Sequence, residues 1–185
     1  EFPEVFVREN PGFDALIGNP PFVYGKNISR QHGSRYNVYL GLITPGSTKN
    51  VDLSAHFLFR CYSLMRKSGV FGLVCTSSIS EGETRIAGLQ QVVEGEGTIV
   101  AAVVRLKWPG SANVLVTPCW VYRGQWGGIR LLNGRQVFHV SSYLTANEEV
   151  WSPKPLIANK GLATRGIVPN GMGFILSPEV AHSIL

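Results

Sequence analysis

The chain has 185 residues, 44% of them hydrophobic and 16% charged, with a formal net charge of +5. That balance describes a globular protein of one domain, or one and a half small ones, and excludes a charge-rich disordered chain. No apolar run reaches the ~20 residues of a membrane span, and no secretory leader opens the chain, whose Glu1-Phe2-Pro3 reads as an interior start.

Residues 1–12 read as irregular, with Pro3 and Pro11. Phe13-Asp14-Ala15-Leu16-Ile17-Gly18 is a short apolar run that predicts a buried strand. It ends in Asn19-Pro20-Pro21-Phe22. Asn19 precedes a proline and is driven to extended geometry. Pro20 and Pro21 fix φ near −65° and lack a backbone N–H. The predicted product is a rigid turn at a strand's carboxyl end, rich in acceptors and nearly free of donors. Such a turn suits a planar group with an exocyclic amine. The Asn19 side-chain oxygen and the Pro20 carbonyl can each accept one amine hydrogen, and Phe22 offers a flat face to the ring. A DNA base reaches a pocket of this kind only by leaving the duplex. Read blandly, the same residues are a Pro-Pro turn with Phe22 in the core.

Residues 23–51 carry Lys26, Arg30, Arg35 and Lys49 and no acid. Glycines and a proline interrupt the stretch, which reads as a long loop without a helical period. Tyr24, Tyr36 and Tyr39 interleave with the cations, a mixture that suits a nucleic-acid strand; the alternative is a mobile loop whose tyrosines pack on the core. The pI of about 9.3 is compatible with a polyanionic partner.

Residues 52–67 predict a helix with Leu53, Phe57, Cys61, Leu64 and Met65 on one face. Asp52 stands at its cap position, Arg66 and Lys67 in its last turn, and Gly69 at its end. Residues 70–76 read as a strand buried on both faces, which makes strand–helix–strand a parallel crossover. A polar turn follows at 77–82, then a weaker helix over 83–93 interrupted by Gly88. Residues 98–106 and 114–122 predict two strands whose short connection forces an antiparallel pair, and Pro118 predicts a bulge or an edge position in the second. Asn133-Gly134 between two short apolar runs predicts a hairpin. Ser177-Pro178-Glu179 reads as a helix start. Cys61, Cys75 and Cys119 lie in apolar segments without metal-ligand spacing, and read as buried free thiols of a cytoplasmic protein. No metal site is expected.

A strand followed by Asn-Pro-Pro-Phe resembles the catalytic motif of amino methyltransferases, above all the DNA adenine-N6 enzymes. The order of the downstream stretches is similar to that of the gamma-type DNA adenine methyltransferases, in particular the methylase portion of single-chain type IIG (IIL) restriction–modification enzymes. Those stretches are Val51-Asp52-Leu53 through Phe57, Gly69-Val70-Phe71-Gly72-Leu73-Val74 and Gly82-Glu83-Thr84-Arg85. Lys107-Trp108-Pro109-Gly110-Ser111-Ala112 and Gly171-Met172-Gly173-Phe174 also match.

The resemblance implies S-adenosylmethionine as methyl donor and a flipped adenine in double-stranded DNA as substrate. It assigns Asn19, Pro20, Pro21 and Phe22 to catalysis, Phe22 and Trp108 to stacking on the target base, and Asp52, Leu53 and Phe57 to the donor's adenine. Asp52 as a plain helix cap and Trp108 as a turn-packing aromatic remain open. Lys26, Arg30, Arg35, Lys49 and Arg85 are the expected DNA contacts, with Arg85 alternatively only solvated. The chain departs from the pattern in lacking the strand–glycine loop–helix unit that opens the donor site.

The resulting expectation is an α/β fold, the carboxyl-side half of a Rossmann-like methyltransferase sheet with an antiparallel strand pair. Residues 1–125 would form the catalytic half, and 126–185 a hairpin, a linker and the beginning of a target-recognition domain. An upstream donor-binding half, and a nuclease domain in a restriction–modification enzyme, would complete the polypeptide. The exposed sheet edge would favour self-association. Two rival readings are a protein-glutamine or RNA amino methyltransferase, and a non-catalytic DNA-binding specificity fragment.

Overall fold

The computed structural model describes residues 2–109, 114–150, 157, 161 and 177. Contacts divide the chain into a compact unit, Glu1–Glu149, and a second unit, Val150–Leu185. The expectations for Gly171-Met172-Gly173-Phe174 and for a helix at Pro178-Glu179 lie outside the described residues, as do positions 110–113.

One mixed sheet organises the compact unit. Its strands are β1 (Phe13–Gly18), β2 (Met65–Thr76), β3 (Thr98–Ala102), β4 (Leu106–Lys107), β5 (Leu115–Tyr122), β6 (Arg130–Leu132) and β7 (Arg135–Val137). Their spatial order is β1-β2-β5-β3-β6-β7, with β4 also on β5. β1 and β2 are parallel, so the predicted crossover is present. β3 and β5 are antiparallel, as their short connection requires. Asn133 and Gly134 take φ values of 52° and 76° in the β6–β7 turn, the left-handed pair a two-residue hairpin demands. β6 runs parallel to β3, so the hairpin extends the same sheet and the compact unit runs past residue 125.

Phe71, Leu73 and Cys75 of β2, Cys119 and Val121 of β5, and Ile99 of β3 alternate onto one face of the sheet and are buried. Against them pack Ala55, Leu58 and Tyr62 of α4 (Leu53–Leu64). Burial of each large side chain here is worth about 1.5–3 kcal/mol. Of the expected stripe of Leu53, Phe57, Cys61, Leu64 and Met65, Leu53 and Met65 are buried and Cys61 packs against the core, but the α4 residues buried in this core are Ala55, Leu58 and Tyr62. Phe57 is 39% exposed, and the small Ala55 and polar-tipped Tyr62 hid the true face. The helix also ends earlier than expected. Met65 is already extended, and Arg66, Lys67 and Gly69 belong to β2. There the register with β1 slips between Phe13 and Ala15, and Ser68 takes φ 63°.

The expected weak helix runs continuously through α5 (Gly82–Arg85), a π-helical segment (Ile86–Gln90) and α6 (Gln91–Glu94). Gly88 lies where this segment meets α4; a Cβ there would sit 3.2 Å from that of Ala55. The predicted interruption is thus a π-turn at a close helix contact.

Three further expectations are corrected. Residues 1–12 contain a short helix, α1 (Pro3–Phe6), and Phe2 and Phe6 pack edge-on against Phe13 at 5.5 and 5.6 Å. The stretch 23–51 is not a structureless loop. It folds as α2 (Gly25–His32) and α3 (Ser34–Ile43), separated at Gly33 (φ 88°). Ile28 and Leu40 anchor the two helices, burying with Val23 and Leu53 in a second cluster. With so few buried anchors, no apolar period was visible in the sequence. Finally, Pro118 lies in an interior strand, opposite Val74 of β2. Its carbonyl accepts from Val103 N–H at 3.0 Å on the β3 side. Its missing donor therefore faces the gap where β5 changes partner from β4 to β3, a local edge inside the sheet.

β1 is the outer strand of the sheet, and its burial departs from the expectation of a buried strand. Ile17 is 91% exposed. The sheet face opposite the core is also open, exposing Ile17 and Trp120 beside Gly72 and Val74. Cys75 and Cys119 are free thiols on neighbouring strands, with sulfurs 3.9 Å apart.

Candidate active site

The carboxyl end of β1 delivers Asn19 to the surface. Asn19 and Pro21 are exposed, Pro20 is buried and Phe22 is half-buried. Pro20 thus roots the turn while the Asn19 amide stays free to meet a ligand. Asn19 lines a cavity of about 340 Å³ with Ile17, Gly18, Gly72, Leu73, Val74, Pro118 and Trp120. Gly72 makes room for the neighbouring indole: a Cβ there would lie 2.8 Å from the Trp120 ring. Trp120 is a site-lining aromatic that the sequence did not single out, because alternation alone made it a strand residue.

The other expected residues are distributed around this end of the sheet. Leu106–Lys107 of β4 pairs with Val116–Leu115 at the start of β5, and Val116 pairs with Thr76 at the end of β2. Trp108 follows directly and is half-buried. The ladder therefore puts Trp108 at the same end of the sheet as the β1 turn, three strand spacings of about 4.8 Å away.

Lys26 and Arg30 lie one turn apart on α2, Arg35 opens α3, and Lys49 follows in the connection to α4. All four are exposed, and none forms an ion pair among the described residues. Tyr24, Tyr36 and Tyr39 are 60%, 36% and 53% exposed, so they do not pack into the core. Tyr36 and Tyr39 stack at 6.5 Å.

Arg85 does not belong with these cations. It is 5% exposed. Its guanidinium donates to Ser142 Oγ at 2.6 Å, lies 3.9 Å from Glu149 and sits 3.9 Å over the Tyr143 ring. The sequence showed only a charge after a turn; the returning segment that swallows it was unreadable.

Leu53 and Phe57 line a smaller cavity of about 200 Å³ with Tyr36, Tyr39, Leu40, Ile43, His56 and Arg60. His56 is buried. Its Nδ1 meets Thr44 Oγ1 at 2.8 Å, while Nε2 has no hydrogen-bond partner among the described residues. Burial pulls its pKa down to about 4, so the ring is neutral at pH 7. Asp52, expected beside Leu53 and Phe57, is instead 3% exposed and engaged inside the protein. Its Oδ1 accepts from Gly25 N–H at 3.2 Å and its Oδ2 from Thr76 Oγ1 at 3.0 Å and from Ser78 Oγ. It occupies the cap position of α4 without capping that helix.

A family model described as Eco57I restriction-modification methylase matches residues 1–94. Comparison with curated proteins gives no match. Among solved structures, the type IIL restriction-modification enzyme MmeI in complex with DNA superimposes with a TM-score of 0.61 at 18% identity, over 74% of this chain and 20% of that one. The M protein of the type I restriction enzyme EcoKI gives 0.43 at 16% identity, over 62% of this chain and 22% of that one. A modification subunit of a putative type I restriction enzyme from Vibrio vulnificus YJ016 gives 0.43 at 12% identity, over 60% and 23%. The chain thus spans about a fifth of the length of the MmeI chain, whose fold it shares. The stretch matched by the family model carries the Asn-Pro-Pro-Phe turn, the two cationic helices and the α4–β2 crossover, and by it the chain belongs to the Eco57I restriction-modification methylase family.

Proposed function

We propose that the protein transfers a methyl group from S-adenosylmethionine to the N6 amine of adenine in duplex DNA, within a restriction–modification enzyme. The observation that carries this reading is the exposed Asn19 amide, set on a buried Pro20 at the end of β1 beside an apolar cavity. The donor, when bound, supplies an electrophilic methyl group. Leu53 and Phe57 fit one wall of its site: the cavity they share is lined by the aromatic rings of Tyr36, Tyr39 and Phe57, flat surfaces for a heterocycle. An upstream glycine loop would complete the donor site.

The chemistry of this chain's residues is positioning. Asn19 Oδ1 and the Pro20 carbonyl accept the two amine hydrogens and aim the nitrogen lone pair out of the ring plane. Phe22 and Trp108 hold the extruded base, and the cationic helices α2 and α3 carry the flanking phosphates. Transfer to the amine would leave the donor as its neutral thioether. The nitrogen becomes acidic and its surplus proton passes through the acceptors to water. Residues after Glu149 would begin the target-recognition region.

Asn19→Ala in the full-length protein tests the reading. Methylation should fall by two orders of magnitude or more, with folding and donor affinity kept. A near wild-type rate would refute it.

A further inference from the structure

Asp52 is a buried carboxylate that forms no ion pair among the described residues. Its three hydrogen-bond donors come from three different elements: the Gly25 N–H from the start of α2, the Thr76 hydroxyl from the end of β2, and the Ser78 hydroxyl from the turn after it. Thr76, its proton directed at Asp52, accepts from Ser54 of α4 at 3.1 Å. The Asp52 amide donates to Thr84 Oγ1 in α5 at 3.3 Å. One residue on, Leu53 N–H donates to the Val23 carbonyl at 3.0 Å. Two adjacent residues thus grip the chain at Val23 and Gly25, directly after Asn19-Pro20-Pro21-Phe22.

The grip on Gly25 has a specific meaning. Tyr24 is the cap residue of α2 and makes no side-chain cap bond. Gly25 N–H is therefore one of the orphan donors of that helix, and Asp52 satisfies it from another element. A carboxylate at a helix amino end is also favoured by the helix dipole. Gly25 is needed for the approach, since a Cβ there would lie 2.3 Å from the Asn50 backbone. α2 carries Lys26 and Arg30.

We infer that Asp52 is a positioning residue that locks the Asn-Pro-Pro-Phe turn and the cationic helix α2 into one frame with the end of β2, and that it makes no contact with the methyl donor. The turn is gripped only from its downstream side by these bonds, so loosening Asp52 releases Asn19 and the DNA-facing helix together. The kinetic part of this inference rests on the adenine-methylation reading; the structural part does not.

The test uses Asp52→Ala and the near-isosteric Asp52→Asn, with Thr76→Val as a variant that leaves the carboxylate in place. Amide hydrogen exchange of this chain should accelerate at least tenfold over residues 24–28 in Asp52→Ala, less in the other two, with β2 and β5 unchanged. In the full-length protein kcat should fall tenfold or more and KM for duplex DNA should rise, while Kd for S-adenosylmethionine stays within twofold. If Asp52→Ala does not fold, Asp52→Asn and Thr76→Val decide. A tenfold loss of donor affinity with unchanged exchange would make Asp52 a donor ligand and overturn the inference. So would faster exchange spread evenly over the sheet, which marks a general stability role. Should the protein prove not to methylate DNA, the exchange result still stands or falls by itself.

Discussion

Arg85 and Glu149 face each other at 3.9 Å with both side chains 6% exposed, and Glu149 also accepts from the Ser142 amide and hydroxyl at 2.6 Å. The pair ties the returning segment to α5. Breaking a buried pair on one side leaves the other charge without its partner, at a cost of about 3–5 kcal/mol. Arg85→Ala should lower the unfolding free energy on that scale in denaturant titration. The salt dependence of DNA binding should not change, because the guanidinium is not available to a phosphate.

The exposed cations of α2 and α3 should behave in the opposite way. Replacing Lys26, Arg30 and Arg35 together by Gln should leave thermal stability within ~1 kcal/mol, as exposed unpaired charges contribute little. DNA affinity should fall, and the slope of log affinity against log salt should flatten by about 0.9 for each phosphate that is no longer neutralised. An unchanged slope in a fluorescence titration would place these helices away from the DNA.

His56 makes stability depend on pH. Its folded pKa is lowered to about 4 by burial, from an ordinary value of 6.5. Between these values the unfolded chain binds the proton and the folded chain does not, so unfolding takes up protons. Stability is full above about pH 6.5, declines as pH falls through that window, and levels off below about 4. His56→Gln should flatten this part of the curve in urea titrations at stepped pH.

The Asn-Pro-Pro-Phe turn, the parallel crossover and the Asn133-Gly134 hairpin were legible because each rests on local chemistry: proline's fixed φ, continuous apolar runs and a left-handed turn pair. Helices α2 and α3 were not. Among the described residues Ile28 and Leu40 are their buried large apolar side chains, and two anchors make no period. Asp52 was visible as a cap and was placed at a helix start correctly, yet the amino end that its carboxylate satisfies is that of α2, two helices earlier. Long-range partners such as Gly25 and Thr76 leave no trace in sequence spacing. Trp120 and His56 were likewise unreadable as site-lining residues, since only the pairing of β2 with β5 and the packing of α3 on α4 reveal their neighbours.

Gly25→Ala gives an independent check on the packing behind the turn. Its Cβ would overlap the Asn50 carbonyl carbon, oxygen and Cα at 2.3–2.7 Å, all backbone atoms with little freedom to yield. Overpacking of this kind costs about 1–3 kcal/mol. The melting temperature should drop accordingly, and hydrogen exchange should quicken first at residues 24–28.

The open edge of β1 invites pairing with another strand. Among the described residues β1 pairs only with β2, and Ile17 is 91% exposed on it. The 185-residue chain should self-associate at raised concentration in sedimentation experiments, and Ile17→Lys should suppress this without unfolding the sheet.

The strand order also dictates when the chain can fold during its own synthesis. β2 and β3 share no ladder; β5 lies between them and pairs with both. A ribosome delivers β1, β2 and β3 first, yet the middle of the sheet stays empty until Leu115–Tyr122 has emerged. Until then Phe71, Leu73, Cys75 and Ile99 lack the strand that joins their two halves. Contacts that bridge distant parts of a chain form slowly, and waiting apolar strands are prone to capture by one another. Nascent chains stalled before residue 115 should therefore bind chaperones and resist extraction into the soluble fraction, whereas chains stalled with residue 122 clear of the exit tunnel should close the sheet around their last-made strand.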